Sequence, residues 1–304
     1  MMKGARSITI STMVDNYTTA LLSSTENIRR WDSGKNPLLA EHGFALMVEV
    51  EDEGGGRRCF MLDAGGTQTS LPYNMDRMEV DPRRVEFLVI SHGHWDHTGS
   101  VVPLIQRSQK ELPVMMHPEA FRERWKVFPD GRRVGPRQVT RRQWEEAGAR
   151  LVIGRESREL FPGCLCTGEI PRKNDWEKAP ASARFRQGEE LVPDQIPDDQ
   201  AVVVHLKDRG LVILAGCAHA GIINTIHHAC TITGMDRIWA VMGGFHLTEA
   251  SEEHLAWTIE EMQAANPRFV VPTHCTGFHA QTAFSLYMPE TFVLNAVGTT
   301  IHFA

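Results

Sequence analysis

The chain has no run of about 18 consecutive apolar residues, so it lacks the span that a transmembrane helix needs. Its first ten residues, Met1 to Ile10, lack the apolar block of a secretion signal, and a cytoplasmic location is the expectation that follows. No Cys-x-x-Cys pair occurs among the six cysteines, Cys59, Cys164, Cys166, Cys217, Cys230 and Cys275. They are scattered through 304 residues, a chain too long to need disulfide staples. Most read as ordinary buried thiols, and Cys164-Leu165-Cys166 is a weak metal or redox signal. Positive charge is in short supply. Thirty-two Lys and Arg face 38 Asp and Glu, a net charge of −6, which argues against broad nucleic-acid binding. Internal repeats and low-complexity tracts are absent. What remains is a chain 42% hydrophobic, with ample material for one large domain or two smaller ones.

Against that background stands Ser91-His92-Gly93-His94-Trp95-Asp96-His97-Thr98. Three imidazoles and one carboxylate fall within six positions, His92 to His97. The apolar run Phe87-Leu88-Val89-Ile90 leads directly into it, as a buried strand delivering ligands to its C-terminal end. Imidazole and carboxylate suit zinc, iron, manganese or nickel. The density of donors suggests two ions, because neighbours with such different side-chain directions rarely serve one. The alternative is a polar loop that happens to be rich in histidine.

Hydrophobic periodicity places the string in a wider pattern. Ile8–Val14 reads as a strand, and Gly43–Val50 and Cys59–Leu62 as two more joined by the Gly-rich turn 51–56. Val85–Ile90 carries the string, Gly99–Ser108 reads as the helix after it, and Pro113–His117 as the next strand. Residues 121–150 change character, with Arg122, Arg124, Arg132, Arg133, Arg137, Arg141 and Arg142 among them and Pro129 and Pro136 as breakers. They read as a surface excursion containing a short helix, opened by a capping box at Thr140 and ended by Gly148. The second half repeats the rhythm: strands Ala201–Leu206 and Leu211–Ala215, a helix Gly221–Thr233, and a strand Arg237–Met242. A helix capped by Ser251 follows, with Leu255, Ile259 and Met262 on one face, and then strands at Phe269–Val271, Phe292–Asn295 and Thr300–Phe303. Strands followed by helices in both halves imply two packed sheets with helices outside.

Other strand ends offer further donors. In Gly216-Cys217-Ala218-His219-Ala220-Gly221, a strand, small residues and a helix start let His219 project into a cleft as a ligand. Cys217 is a second ligand candidate there, or a small packed thiol. His274, in Pro272-Thr273-His274-Cys275-Thr276-Gly277, again follows a strand. His246, in Gly243-Gly244-Phe245-His246-Leu247, is read on the substrate side as a catalytic group, ahead of a ligand role. Asp96 would both ligate and orient the nucleophile. His117 ends a strand behind the string. His227 and His228 sit in a helix, one facing inward and one outward. His42, His205, His254 and His302 have no motif around them and read as structural.

His92, His94, Asp96 and His97, with Met61-Leu62-Asp63-Ala64-Gly65 upstream, resemble the signature of the metallo-β-lactamase superfamily. The resemblance implies a four-layer αββα sandwich over residues 1–304, with the excursion near 121–150 on its surface. The site would lie at strand ends between the halves. It also implies two divalent ions, zinc first, with manganese, iron or magnesium as alternatives. His274 resembles the superfamily's last histidine ligand, and Cys217 sits where many members carry a bridging Asp and some a Cys. One feature departs: residues 164–172 contain no histidine where the superfamily usually has one. The third ligand of the first ion is therefore open, with His219 the candidate.

A narrower resemblance covers nearly the whole chain. Val14-Asp15-Asn16-Tyr17-Thr18, Glu41-His42-Gly43, Thr167-Gly168-Glu169-Ile170-Pro171-Arg172 and Asp198-Asp199-Gln200-Ala201 are similar to one branch, as are the stretches around Cys217, His246 and His274. That branch is typified by the 7,8-dihydropterin-6-yl-methyl-4-(β-D-ribofuranosyl)aminobenzene 5′-phosphate synthases, which join a pterin methyl diphosphate to an arylamine phosphate. Under this resemblance Arg172, with Glu169 in the same turn, would bind a substrate phosphate; an ion pair of Arg172 with Glu169 or Glu177 is the alternative. Trp95 would stack a flat ring beside the ions, or pack under the loop. The Arg-rich stretch would meet an anionic substrate or form a solvated face. Three functions follow. The first is a metal-dependent hydrolase, with metal-activated hydroxide attacking an ester, lactone or phosphate bond. The second is the dihydropterin-type transferase, and the third a non-catalytic metal-bound sensor. The expected partner is a small molecule, phosphorylated in the transferase case, with no nucleic acid and no membrane; oligomeric state is not legible.

Overall fold

Adjacent residues of the central strands face opposite sides of a sheet, and here both sides are buried. The computed structural model describes residues 3–304. The first part of the chain forms β1 (Ala5–Val14), β2 (Ile28–Arg29), β3 (Ala45–Asp52), β4 (Arg57–Leu62), α1 (Ser70–Arg77), β5 (Phe87–Val89), α2 (Trp95–Thr98), α3 (Val101–Ser108) and β6 (Leu112–Met116). The middle forms β7 (Arg124–Val127), β8 (Arg133–Arg137), α4 (Arg141–Ala147), β9 (Ala149–Ile153), β10 (Arg158–Phe161), β11 (Cys164–Cys166), β12 (Ala183–Gln187) and β13 (Glu190–Pro193). The last part forms β14 (Ala201–Leu206), β15 (Gly210–Ala215), α5 (Ile222–Thr233), β16 (Ile238–Gly244), α6 (Glu252–Ala265), β17 (Phe269–Thr273), α7 (Phe278–Tyr287) and β18 (Thr300–Phe303).

Three buried clusters define the layers. Leu46, Val48 and Phe60 from the first half meet Val202, Val204, Val212 and Leu214 from the second; this is the seam between the sheets. The alternate residues, Ala45, Met47 and Met61, turn the other way and pack on Leu71 and Met75 of α1, Leu104 of α3 and Trp144 of α4. Val203, Ile213 and Val241 likewise turn outward onto Ile222 and Ile226 of α5, Leu255, Ile259 and Met262 of α6, and Phe284 of α7. Three interfaces make four layers, and the αββα sandwich is the observed architecture. In the first half the strand order is β1-β3-β4-β5-β6-β9, and in the second β14-β15-β16-β17. The two are hydrogen-bonded at one corner, where Ala5 of β1 pairs with Leu206 of β14.

Most expected elements form close to their expected bounds. Ser251 caps α6 by accepting from the His254 N–H, and Gly148 ends α4 in the left-handed region. Thr140 precedes α4 but makes no side-chain cap bond, so the capping box is not formed. Phe292–Asn295 is not a strand; Phe292 makes one isolated bridge to Val270. The Arg-rich segment does not stand alone. β7 and β8 join β12 and β13, some 50 residues on, in a separate four-stranded antiparallel sheet of order β13-β12-β7-β8. Among the described residues no helix is long and apolar enough to cross a membrane.

Phe60 is fully buried at the seam, with its ring stacked on Phe87 at 5.0 Å between centroids. Phe60→Ala is expected to cost about 3–5 kcal/mol, read as a lowered urea midpoint with an unchanged slope.

Candidate metal centre

The string begins where β5 ends, and Asp63 at the end of β4 fixes its shape. The buried Asp63 carboxylate accepts from the Ser91 N–H and the Ser91 hydroxyl, both at 2.7 Å, and from His97 Nδ1 at 2.6 Å. Because the Ser91 hydroxyl donates to Asp63, its oxygen is left to accept from His92 Nδ1, at 2.9 Å. Both imidazoles are thereby turned so that Nε2 points away from these anchors, as second partners do for metal-binding histidines. His97 Nε2 lies 3.0 Å from Cys217 Sγ. The single turn of α2 then sets Asp96 beside His97.

Two donor sets converge. His92 Nε2 and His219 Nε2 lie 2.9 and 3.1 Å from His94 Nδ1. On the other side, Asp96 Oδ2 lies 3.3 Å from His274 Nε2 and 3.8 Å from His97 Nε2. Cys217 Sγ belongs to both, within 4.8 Å of the donor atoms of His92 and His219 and of those of Asp96, His97 and His274. Nitrogens bound tetrahedrally to one zinc ion stand roughly 3.4 Å apart, close to the spacing of the first set. His274 Nε2 is buried with no hydrogen-bond partner. A divalent metal fits these residues.

The electrostatics agree. Burial holds the imidazoles of His92 and His219 well below their ordinary pKa. Burial, helped by the nearby Arg124 charge, lowers His94 to about 4. These rings are therefore neutral at neutral pH and offer lone pairs. Burial also pulls His97 down, but the Asp63 and Asp96 carboxylates outweigh it and raise its pKa to about 9. Burial pushes Asp96 up, yet the His97 and His274 imidazoles reverse this and keep it ionised. Burial raises the Cys217 thiol well above its usual value, so a thiolate there needs a cation beside it.

Close packing and unusual backbone hold the donors. A Cβ at Gly93 would meet the Ala120 carbonyl oxygen at 2.0 Å, and one at Gly216 would meet Ser91 Oγ at 2.0 Å. Asp63, Ala218, His246 and His274 all have positive φ, which non-glycine residues adopt mainly where surrounding contacts impose it. At His274 the contacts come from Asp15 and Asn16. Asp15 accepts from the His274 N–H at 3.1 Å and from the Thr273 hydroxyl, and Asn16 Oδ1 lies 3.1 Å from His274 Nδ1. Behind Gly93, the carboxylate of Asp198 accepts its N–H at 2.7 Å and pairs with the buried Arg124, which also pairs with Asp194 at 2.9 Å.

The fold thus brings His92, His94, Asp96, His97, Cys217, His219 and His274 together, and His219 occupies the place left open in the first set. His246 sits beside them, its ring centroid 4.2 Å from that of His219. Above the cluster opens a cavity of about 550 Å³, lined by Trp95, Trp125, Lys126, Arg137, His246 and His42 among others. Arg172 and Glu169 do not line it. Arg172 donates to the His219 carbonyl at 3.0 Å and pairs with neither Glu169 nor Glu177, so it supports a candidate ligand from behind. Glu169 lies 3.3 Å from His117 and from Arg155 instead. Glu177 accepts from the first N–H groups of α5, at Ile223 and Asn224. Cys164 and Cys166 join no donor group among the described residues.

His42, read from the sequence as structural, belongs to the site: its Nε2 lies 3.4 Å from Asp96 Oδ2 and its ring 5.1 Å from that of His274. The available signal was the Glu41-His42-Gly43 stretch in the branch resemblance. Asp15, Asn16, Asp63 and Asp198 also stood in motif stretches without a role, because a supporting contact has no local spacing of its own.

A family model for the metallo-β-lactamase superfamily matches residues 41–228. The chain belongs to that superfamily. The superfamily usually binds divalent metals, and the donor groups here fit that habit. The resemblance read from the histidine string therefore stands, and so does the narrower likeness. The chain is 29% identical to the 7,8-dihydropterin-6-methyl-4-(β-D-ribofuranosyl)-aminobenzene-5′-phosphate synthase of Methanocaldococcus jannaschii, over 272 residues covering 88% of this chain and 92% of that protein. An uncharacterized protein of the same organism is 27% identical over 262 residues, covering 86% and 93%. Among solved superfamily structures, that of Tm1679, a metal-dependent hydrolase, is 23% identical and covers 98% of both chains with a TM-score of 0.74. That of YhfI from Bacillus subtilis is 9% identical and covers 98% of this chain and 100% of its own, with a TM-score of 0.52.

Asp63→Asn turns an amide toward His97 and removes the charge that orients it. Metal affinity is expected to fall about 10–100-fold, measured by competition with a chromophoric chelator. In the metal-free protein, His97 has its pKa raised from 6.5 to about 9. Its stabilisation is therefore fully present below about pH 6.5 and lost as pH rises through about 9. Thermal melting of metal-free protein across that window should show the loss, and Asp63→Asn should flatten it. Arg124→Ala leaves Asp198 buried without its ion pair and Asp194 with Arg122 alone, with an expected cost of about 3–5 kcal/mol by chemical denaturation.

Proposed function

We propose that the protein is a binuclear metal-dependent hydrolase acting on an ester or phosphate bond of a small anionic molecule. The observation that carries this reading is the pair of donor sets sharing Cys217 at the floor of the cavity. His92, His94 and His219 would hold one ion, and Asp96, His97 and His274 the other. Imidazole, carboxylate and thiolate together favour zinc over magnesium, with manganese and iron as the alternatives. Ions held there supply Lewis acidity toward the substrate oxygen and neutralise charge on the leaving group. Asp96 orients the reacting group beside the cluster. His246, on the cavity side of His219, donates to the substrate. Water reaches the Asp96 edge, because the adjacent His42 imidazole is 57% exposed. The reading includes a cytoplasmic location and no macromolecular partner.

A second reading is favoured by the synthase relative, which this chain matches over 92% of its length. In that case the same residues bind a dihydropterin methyl diphosphate, and an arylamine replaces water as acceptor.

Zinc-loaded protein mixed with hydroxymethyl-dihydropterin diphosphate, with and without the arylamine phosphate, separates the two by mass spectrometry. The hydrolase reading expects cleavage without the amine on this substrate or on a panel of phosphate and carboxylic esters, with His94→Ala lowering the rate at least about 10³-fold. A joined pterin–arylamine product would replace it with the transferase. No turnover on any substrate, together with biological output retained in His94→Ala, would overturn both in favour of a metal-bound sensor.

A further inference from the structure

The small sheet β13-β12-β7-β8 forms one wall of the cavity, and its contact with the histidine string is a closed circuit. Gly93, inside the string, donates to Asp198 at 2.7 Å. Asp198 pairs with Arg124, whose side chain is only 6% exposed. Across the β7–β8 pair, Arg124 is the direct partner of Arg137. Arg137 then reaches back to the string, its guanidinium carbon 4.1 Å from the centroid of the Trp95 ring. Trp95 lies between His94 and Asp96. One arginine is therefore buried as the anchor of the wall, and its cross-strand neighbour is held over the string in the cavity lining.

Arg137 differs from most cations of this stretch. Arg122, Arg124, Lys126, Arg132, Arg141 and Arg142 each pair with a carboxylate. Among the described residues Arg133 has no ion pair either but does not line the cavity; Arg137 lines it, and its side chain makes no ion pair and no hydrogen bond. The guanidinium carbon lies over the Trp95 ring, and a guanidinium carries a planar fork of N–H donors that matches two oxygens of one phosphate. The strand bearing it lies close against β7: a Cβ at Gly135 would meet the Arg124 carbonyl oxygen at 2.8 Å and the Trp125 ring at 2.9 Å.

We infer that Arg137, stacked on Trp95 and placed by the buried Arg124–Asp198–Gly93 contact, is the specificity residue of this cavity and selects substrates bearing a phosphate group. The inference rests on the cavity being the substrate site, as proposed above. It assigns to the small sheet the part of the substrate that the metal donors do not hold. Lysine at this position would keep the charge and lose both the fork and the stacking face.

Isothermal titration of zinc-loaded protein with naphthyl phosphate, and with neutral naphthol as the matched probe, tests it. Arg137→Gln is expected to weaken naphthyl phosphate binding about 10–100-fold, Arg137→Lys by less, and neither to change naphthol binding. Unchanged melting temperatures would show that the exposed edge strand still folds. Equal naphthyl phosphate affinity in wild type and Arg137→Gln would overturn the inference. So would parallel weakening of both probes, which marks a packing role, or no binding of naphthyl phosphate to the wild type. The same titrations on metal-free protein, with zinc content measured by elemental analysis, keep the two proposals apart. A chain that takes up no zinc sinks the binuclear reading, while Arg137-dependent binding of the phosphate probe would still stand.

Discussion

Three imidazole nitrogens held about 3 Å apart in a buried pocket have no stable arrangement of their own unless a cation or a proton lies between them. In this chain His92, His94 and His219 stand in that relation, with His94 Nδ1 facing the Nε2 atoms of the other two. Burial keeps these rings neutral, so each carries one N–H and one lone pair that can face a cation. On the other side of Cys217, the Asp96 carboxylate lies between the imidazoles of His97 and His274. Much of the surrounding structure serves to hold donors in positions that would otherwise relax apart.

That service comes from several elements far apart in the chain. Asp63 leaves β4 and aims His97 while organising Ser91, which aims His92. Asp15 leaves β1 and fixes the turn of His274. Arg172 holds the His219 carbonyl from behind. Each anchor sits at or just beyond the end of a buried strand or in a loop packed on one, so the rigidity of the apolar seam is passed directly to the polar cluster. The strained backbone at His246 and His274 is tolerated because both flank this over-determined region.

The small sheet gives the site its second character. The four-layer sandwich supplies donors for metal, and the sheet supplies aromatic and cationic groups for whatever lies above them. The buried pairing of Arg124 with Asp194 and Asp198 ties the two together, so the wall and the cluster form one unit. A chain with a net charge of −6 thereby presents, in the cavity lining, an arginine whose side chain makes no ion pair among the described residues.

The string His92–His97, the strand before it and the donors His219 and His274 were legible in the sequence, because period-2 strands and motif spacing are local properties of the chain. Strands followed by helices in both halves implied two sheets with helices outside, and the superfamily resemblance implied the four-layer order. Other features were decided only by tertiary structure. His42 reaches Asp96 across 54 residues of sequence, and the Glu41-His42-Gly43 stretch around it gives it no role by itself. Arg172 and Glu169 share a turn in the sequence, yet the fold faces neither into the cavity. The pairing of β7 with β12 joins polar, irregular stretches whose hydrogen-bond partners no local pattern names. Local periodicity determines which residues become strands and which strand ends carry ligands. Which distant side chains meet there depends on long-range packing, and short-range signals in a sequence do not carry it.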